Sequence, residues 1–359
     1  MVKIKRLYVE KLNNRELPLE LFFNPDLNLL TGKNGSSKTT ILKMIWYLNS
    51  GRFANLIREV NFKYAELETS NIKIEIRRDF QNDTVSIGLN GDKKPFTLKQ
   101  LMLRELEYRR VDRVNEKIIE IQQKAIPTIF FPTFRRIEGG FSMEDGFDPR
   151  YGRTDEIREA MEAFSRRMSI RNQRFITSIS TDDIVMLLNK EYSNINELIN
   201  IYQKNKTDEI IIKIKNQSLD KKDILNEIQS DIESMELDRE NLLKPYTTLS
   251  QLITKIFHHK GINLSNLTLG EVNNSISSDK LSAGEKQMLS FICYNAFTKD
   301  HTIFIDEPEL SLHPDWQRTL VPTLLNQNSN NQFFMATHSP FIFSKYSDKE
   351  IVLFEDKGE

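Results

Sequence analysis

The sequence predicts an α/β chain: a mainly parallel sheet, an antiparallel β-subdomain near the N-terminus and a helical insertion between two lobes. Three observations predict it. The stretch GKNGSSKTT, residues 32–40, lies between a short apolar strand and a helix. Ile72, Ile74 and Ile76 alternate with charged residues and return across a QND turn as Val85, Ile87 and Leu89, a hairpin pattern. Thr302 to Ile305 is a short apolar run closed by Asp306 and Glu307, as a central parallel strand requires.

The elements follow in order. Val2, Ile4, Leu7 and Val9 largely alternate as a first strand, and PLELFF and LNLL read as two more. The helix TTILKMIWYLNS is stopped by Gly51. Thr97 is expected to cap a long charged helix running to about Ala125, before the buried strand PTIFFP. From about Arg150 to Ser250 the texture is helical. Leu225, Ile228, Ile232 and Met235 have 3-4-3 spacing, but over only about two heptads, which favours a packed helical hairpin over a coiled coil. SNLTLGEVNNSISSD reads as a loop leading to a region that alternates helix and strand from Leu281 onward. The expected divisions are 1–150 (first lobe), 151–260 (helical insertion) and 261–359 (second lobe).

At 359 residues the chain can bury one large or two moderate cores. With 50 basic and 51 acidic residues its formal charge is −1, so it is no bulk polycation, and any nucleic-acid contact must come from a local patch. The one cysteine, Cys293, lies in an apolar run and reads as a small buried hydrophobe, with no disulfide framework. The N-terminus alternates like a strand, unlike a signal peptide, and no apolar run approaches the roughly 20 residues that cross a bilayer. A cytoplasmic protein without a membrane partner is the expectation.

The glycine-rich loop carries the first chemistry. It follows the pattern G-x-x-x-x-G-K-[ST] except that Ser37 stands where the second glycine is expected. Such a loop before a helix wraps backbone N–H groups and a helix dipole around phosphates. Lys38 would reach the β/γ-phosphate oxygens and Thr39 would ligate Mg²⁺, with Gly32, Asn34, Gly35, Ser36, Ser37 and Thr40 completing the nucleotide contacts. Alone, the loop reads equally well as a Gly/Ser-rich turn.

Three further stretches tip the balance. In HTIFIDEPELSLHP, Asp306 can hold Mg²⁺ through water and Glu307 can orient or deprotonate an attacking water, although an isolated DE is commonly a solvated turn. In LSAGEKQMLSF, Ser282, Ala283 and Gly284 open a helix with Glu285 in its first turn and Met288, Leu289 and Ile292 on its apolar face. That is either an anion site or an ordinary cap. FFMATHSPF is an apolar strand ending in Thr337 and His338; such a histidine is structural or contacts the γ-phosphate.

In this order the four elements resemble the nucleotide-binding heads of ABC-type ATPases, a branch of the P-loop NTPases. GKNGSSKTT is similar to Walker A, LSAGE to the ABC signature, IFIDEPE to Walker B, SLHP to the D-loop and ATHSP to the switch-histidine segment. The wording IDEPELSLHPDWQ resembles the SMC, RecF and OLD branch. The resemblance covers about the first 50 residues and the last 80 or so strongly, and the middle only in kind. It implies ATP and Mg²⁺ as cofactors and ATP hydrolysis with Glu307, His338 and Lys38 as catalytic groups. It also implies head-to-tail pairing, in which Ser282, the Gly284 amide and Glu285 of one copy complete the site of another. Ser311 and His313 would couple the two sites.

Ser37 is one departure from the family pattern. A second follows TIFFP, where the family often has a glutamine and this chain reads TFRRIEGG; Gln122 and Gln123 lie before that strand, and Arg135 or Arg136 are alternatives. Arg166, Arg167, Arg171 and Arg174 have no acid between them, and at helical spacing the last three would share one face. That face is solvated, or it meets nucleic acid or an acidic partner.

No cysteine pair is present for a zinc hook, and about twenty residues follow ATHSP, so a TOPRIM nuclease is not expected. What remains resembles the stand-alone ATPase subunits of anti-phage systems such as PARIS, Septu and some retrons. That resemblance implies a homodimer or higher homo-oligomer that senses and holds a separate effector, a nuclease or toxin. The alternative is a RecF-type repair ATPase that clamps DNA.

Overall fold

The structure, a computed structural model, describes residues 2–97, 116–133, 136–137, 163–179, 181–215, 227–244, 282–327 and 329–353. By its internal contacts the chain forms two compact units, Met1–Ser178 with Thr298–Glu359, and Ile179–Phe297.

In the first unit the chain opens with β1 (Ile4–Glu10), β2 (Leu19–Phe22) and β3 (Leu27–Thr31), and then α1 (Lys38–Ser50). Strands β4 (Tyr64–Thr69), β5 (Lys73–Asp79), β6 (Thr84–Leu89) and β7 (Asp92–Thr97) join β1 and β2 in a six-stranded sheet of order β2-β1-β4-β5-β6-β7. All of its pairings are antiparallel. The expected hairpin is β5–β6, with Ile74, Ile76, Val85 and Ile87 buried.

Thr97 is the last residue of β7. The expected long helix is described only at Glu116–Lys124, and residues 98–115 lie outside the described residues. The signal for β7 was Asn90–Gly91, whose φ values of 52 and 87 make the two-residue turn that joins β6 to β7. Pro95 is tolerated because β7 is an edge strand.

The second sheet of this unit contains β3, β8 (Thr128–Phe131), β9 (Gln173–Phe175), β10 (Thr302–Asp306), β11 (Gln332–Ala336) and β12 (Glu350–Val352). Their order is β9-β8-β10-β11-β3-β12, all parallel. Strand β9 falls where a continuous helix was expected. Three residues are too few to show a period, and the partner strand lies far back in the chain.

Helix α1 is buried nearly all round, and its apolar side chains share one core with residues of both sheets, among them Leu7, Ile76, Phe130, Phe304 and Phe334. A helix so placed is apolar around most of its circumference, the exception being the strip with Thr39, Thr40 and Lys43. Trp46 is fully buried against Phe130 and Phe175 and donates to Thr128 Oγ1 at 3.0 Å. Buried aromatics of this kind are each worth about 3–5 kcal/mol to a fold. Asn49 accepts from Ile126 N and donates to Ile126 O, tying the end of α1 to the approach to β8. The helix is thereby fixed rigidly between the sheets, with its first turn at the carboxyl ends of the parallel strands.

The second unit contains the helices Thr181–Lys215, 227–244 and Ala283–Ala296. Tyr202 OH donates to Asp238 Oδ2 at 2.5 Å, joining the first two. On helix 227–244 the half-buried stripe is Ile228, Asp231, Met235, Asp238 and Leu242, whereas Ile232 is 48% exposed. The expected seam through Ile232 is therefore out of phase, and Leu225 lies outside the described residues. Cys293 is fully buried and burial pushes its thiol pKa up, which makes it a packing residue. Among the described residues no helix is long and apolar enough to cross a membrane.

Candidate nucleotide site

Parallel strands end together, and in open α/β sheets that edge is where ligands bind. Here β8, β10, β11 and β3 are consecutive neighbours, so Thr133, Asp306, His338 and the loop after Thr31 gather at one edge. Gly32 has φ 136, and a Cβ there would meet Leu353 O at 2.6 Å, so only glycine fits. Gly35 has φ 79, which favours glycine although space is open around it. Asn34 is exposed, Ser36 is buried and Thr40 is half-buried in the first turn of α1.

Lys38 is only 6% exposed. Its Nζ donates to Gly32 O at 2.9 Å, Lys33 O at 3.1 Å and Ser36 Oγ at 3.3 Å, so the ammonium sits inside the curl of the loop. The first N–H groups of any helix lie beyond the intrahelical ladder, and its dipole favours an anion. An ammonium group and a helix start aimed at one concavity make a phosphate cradle.

Ser37 is the N-cap of α1 at φ 71, ψ 22, the left-handed region. Its Oγ accepts from Asn13 Nδ2 at 3.3 Å. A non-glycine there costs roughly 1–2 kcal/mol. The lysine, the helix start and the hydroxyl all survive, so the site is expected to keep its function. Ser37→Gly is expected to bind ATP as tightly as wild type or up to about tenfold tighter by equilibrium titration, the factor that 1.4 kcal/mol represents. A wild type that binds no ATP, with binding and turnover restored by the glycine, would make Ser37 a disabling substitution.

Asp306 is 1% exposed at the end of β10, and its Oδ1 accepts from Thr39 Oγ1 at 2.9 Å. Its other oxygen, Oδ2, accepts from Thr133 Oγ1. Glu307 is half-buried with φ 50, and its N–H donates to Ala336 O at 2.8 Å, which holds the strained backbone against β11. A left-handed glutamate at a strand end is the kind of outlier that clusters at functional sites.

Glu309, which the sequence reading passed over, grips the switch segment. Its Oε1 accepts from His338 N at 2.6 Å and its Oε2 from Thr337 Oγ1 at 2.8 Å. Ser339 Oγ donates to Gln317 Oε1 at 2.5 Å, and Gln317 Nε2 donates to Leu312 O at 2.8 Å. His338 itself is exposed. Ser311 has φ 65, and His313 caps the helix Pro314–Leu325 through Asp315 N at 3.4 Å.

The signature stretch lies in the second unit. Ser282 caps the helix Ala283–Ala296 in a reciprocal capping box: Glu285 N donates to Ser282 Oγ at 3.3 Å, and Ser282 N donates to Glu285 Oε2 at 2.6 Å. Ser282 is exposed, and Gly284 and Glu285 are buried. Gln122 packs beside Gly51, at the end of α1 remote from the loop. Arg135 lies outside the described residues. Arg166 and Arg167 lie on helix 163–168, Arg171 in a turn at φ 49, and Arg174 on β9. All four are exposed, but they do not share a helix face, because the chain turns and enters the sheet.

A hydroxyl and a carboxylate are the hard oxygen donors Mg²⁺ takes, usually with phosphate oxygens and water completing its shell. Thr39 and Asp306 already meet, so the residues fit that ion, and bound Mg²⁺ would neutralise charge on the transferring phosphoryl group.

A phosphate loop at the edge of a parallel sheet, beside a strand-end Asp–Glu pair, is the arrangement of a P-loop ATPase. Residues 3–343 match the AAA ATPase domain family, and the chain belongs to it. The chain is an ATPase of that family. It is 23% identical to the "Retron Vc95 probable ATPase" of Vibrio cholerae, over 91% of this chain and 68% of that protein. It is 26% identical to the DNA replication and repair protein RecF of Clostridium acetobutylicum, over 29% of this chain and 28% of that one. Among solved structures, the Smc head domain of Pyrococcus furiosus bound to the C-terminal domain of ScpA covers 96% of this chain, and 92% of that chain is covered, at 15% identity and TM-score 0.42.

Proposed function

We propose that this ATPase is the sensor and scaffold subunit of an anti-phage system. It associates with further copies of itself through shared ATP–Mg²⁺ sites and holds a separate effector, a nuclease or toxin. The similarity to a retron ATPase across 91% of the chain is the observation that carries the defence reading. The exposed Ser282 at a helix start supports sharing, since a group placed there is available to a nucleotide on another copy.

The test is to express the chain with the product of its neighbouring gene and to measure assembly mass by light scattering with and without ATP and Mg²⁺. Nucleotide is expected to change both the mass and the retention of the neighbour. A mass and a retention both indifferent to nucleotide would sink the proposal. Salt-sensitive binding of duplex DNA without effector capture would favour the RecF-type clamp instead.

A further inference from the structure

Nothing in the sequence motifs marks Thr133, yet the sheet brings it to Asp306. Strands β8 and β10 run parallel in the register Thr302↔Thr128 to Ile305↔Phe131. Continued by one residue, that register sets Asp306 level with Pro132, and Thr133 is the next residue along. The Thr133 hydroxyl donates to Asp306 Oδ2 while Thr39 donates to Oδ1 at 2.9 Å, so each carboxylate oxygen is held by a threonine on a different element. Asp306 is 1% exposed, so bulk water does little to set its orientation. A buried carboxylate that accepts at both oxygens is held in orientation, and Thr39 and Thr133 each contribute to that hold.

We propose that Thr133 is a positioning residue for the Mg²⁺ site, acting through Asp306. The proposal rests on the reading of Asp306 as the carboxylate that holds Mg²⁺. Thr39 alone leaves Oδ2 without this anchor; Thr133 fixes the plane of the carboxylate, so a cation arriving with nucleotide finds its ligand already oriented. Groups that orient a metal's ligands typically change its affinity by about 10–100-fold when removed.

Thr133→Val keeps the shape and removes the donor; Thr133→Ser keeps the donor. The full-length chain is titrated with Mg²⁺ at a fixed concentration of a fluorescent N-methylanthraniloyl ATP analogue, and analogue affinity is also read in EDTA. In the valine variant the half-saturating Mg²⁺ concentration is expected to rise about tenfold, with affinity in EDTA unchanged and with serine restoring the wild-type value. In an Asp306→Asn background Thr133→Val should add nothing, because the route through the carboxylate is already closed.

A valine variant with the wild-type Mg²⁺ requirement would overturn the proposal. So would equal shifts in the valine and serine variants, which would mean packing, or a full further shift in the Asp306→Asn background. If valine does not fold, the serine variant alone and the serine–Asp306→Asn pair decide it: a loss of Mg²⁺ affinity with serine counts against the hydroxyl role, and wild-type behaviour counts for it. If the wild type itself shows no Mg²⁺ dependence, the reading of Asp306 fails, an outcome distinct from failure of Thr133 alone.

Discussion

Glu307→Gln is expected to lower ATP turnover by about 10²-fold or more, the scale of a lost general base, while ATP and Mg²⁺ still bind. The backbone of Glu307 is held by its own N–H on Ala336 O at 2.8 Å, so an isosteric side chain leaves the strand end in place. Thr39 and Asp306, at 2.9 Å, do not depend on it. On the reading of Glu307 as the general base, what is lost is the negative charge and basicity offered to the attacking water. Nucleotide that binds but does not turn over keeps any ATP-linked assembly closed, so the variant should accumulate a dimer or larger species. Phosphate release and light scattering with and without ATP measure both effects. An association state indifferent to nucleotide, in wild type and variant alike, would count against ATP-linked pairing.

The second large effect is expected to separate the two halves of the proposed shared site. Lys38→Ala removes the ammonium group that Gly32 O, Lys33 O and Ser36 Oγ surround, and with it the charge that meets the phosphates. Ser282→Arg leaves that loop untouched and blocks the signature helix start, at a folding cost of about 0.5–2 kcal/mol for the lost cap. Each variant alone is expected to hydrolyse no ATP, although Ser282→Arg still binds it. Mixed in equal amounts, random dimers would place one intact site in each heterodimer, recovering up to roughly a quarter of wild-type turnover for a two-fold arrangement. Heterodimers proven by mass that recover no hydrolysis would argue that the site is not shared.

Much of the site was legible because its chemistry is local. Gly32 to Thr40 is one contiguous stretch, a loop and the first turn of α1, whose expected role depends on local backbone shape. Asp306 and Glu307 are consecutive at a strand end, and Ser282 and Glu285 form a cap within one turn. The hairpin β5–β6 showed itself by period. Strand β7 was also legible, through Asn90–Gly91, a turn between two strands that needs only positive φ at both residues.

By itself the sequence determined which segments alternate, where the chain turns and which residues can meet a phosphate, since each of these needs only neighbours along the chain. Tertiary structure alone decided the partners. Thr133 reaches Asp306 because β8 lies beside β10, and Glu309 grips Thr337 and His338 because β11 lies on the other side. Strand β9 exists because β8 offers it a parallel edge, and that pairing disperses Arg167, Arg171 and Arg174 from the single helix face their spacing implied. The half-buried stripe of helix 227–244 runs through Ile228 and through Asp238, which meets Tyr202, and leaves Ile232 outside. The physical reason is the same each time. A hydrogen bond or a ladder between segments far apart in the chain depends on strand order, and strand order is set by how the whole core packs, which no local period records.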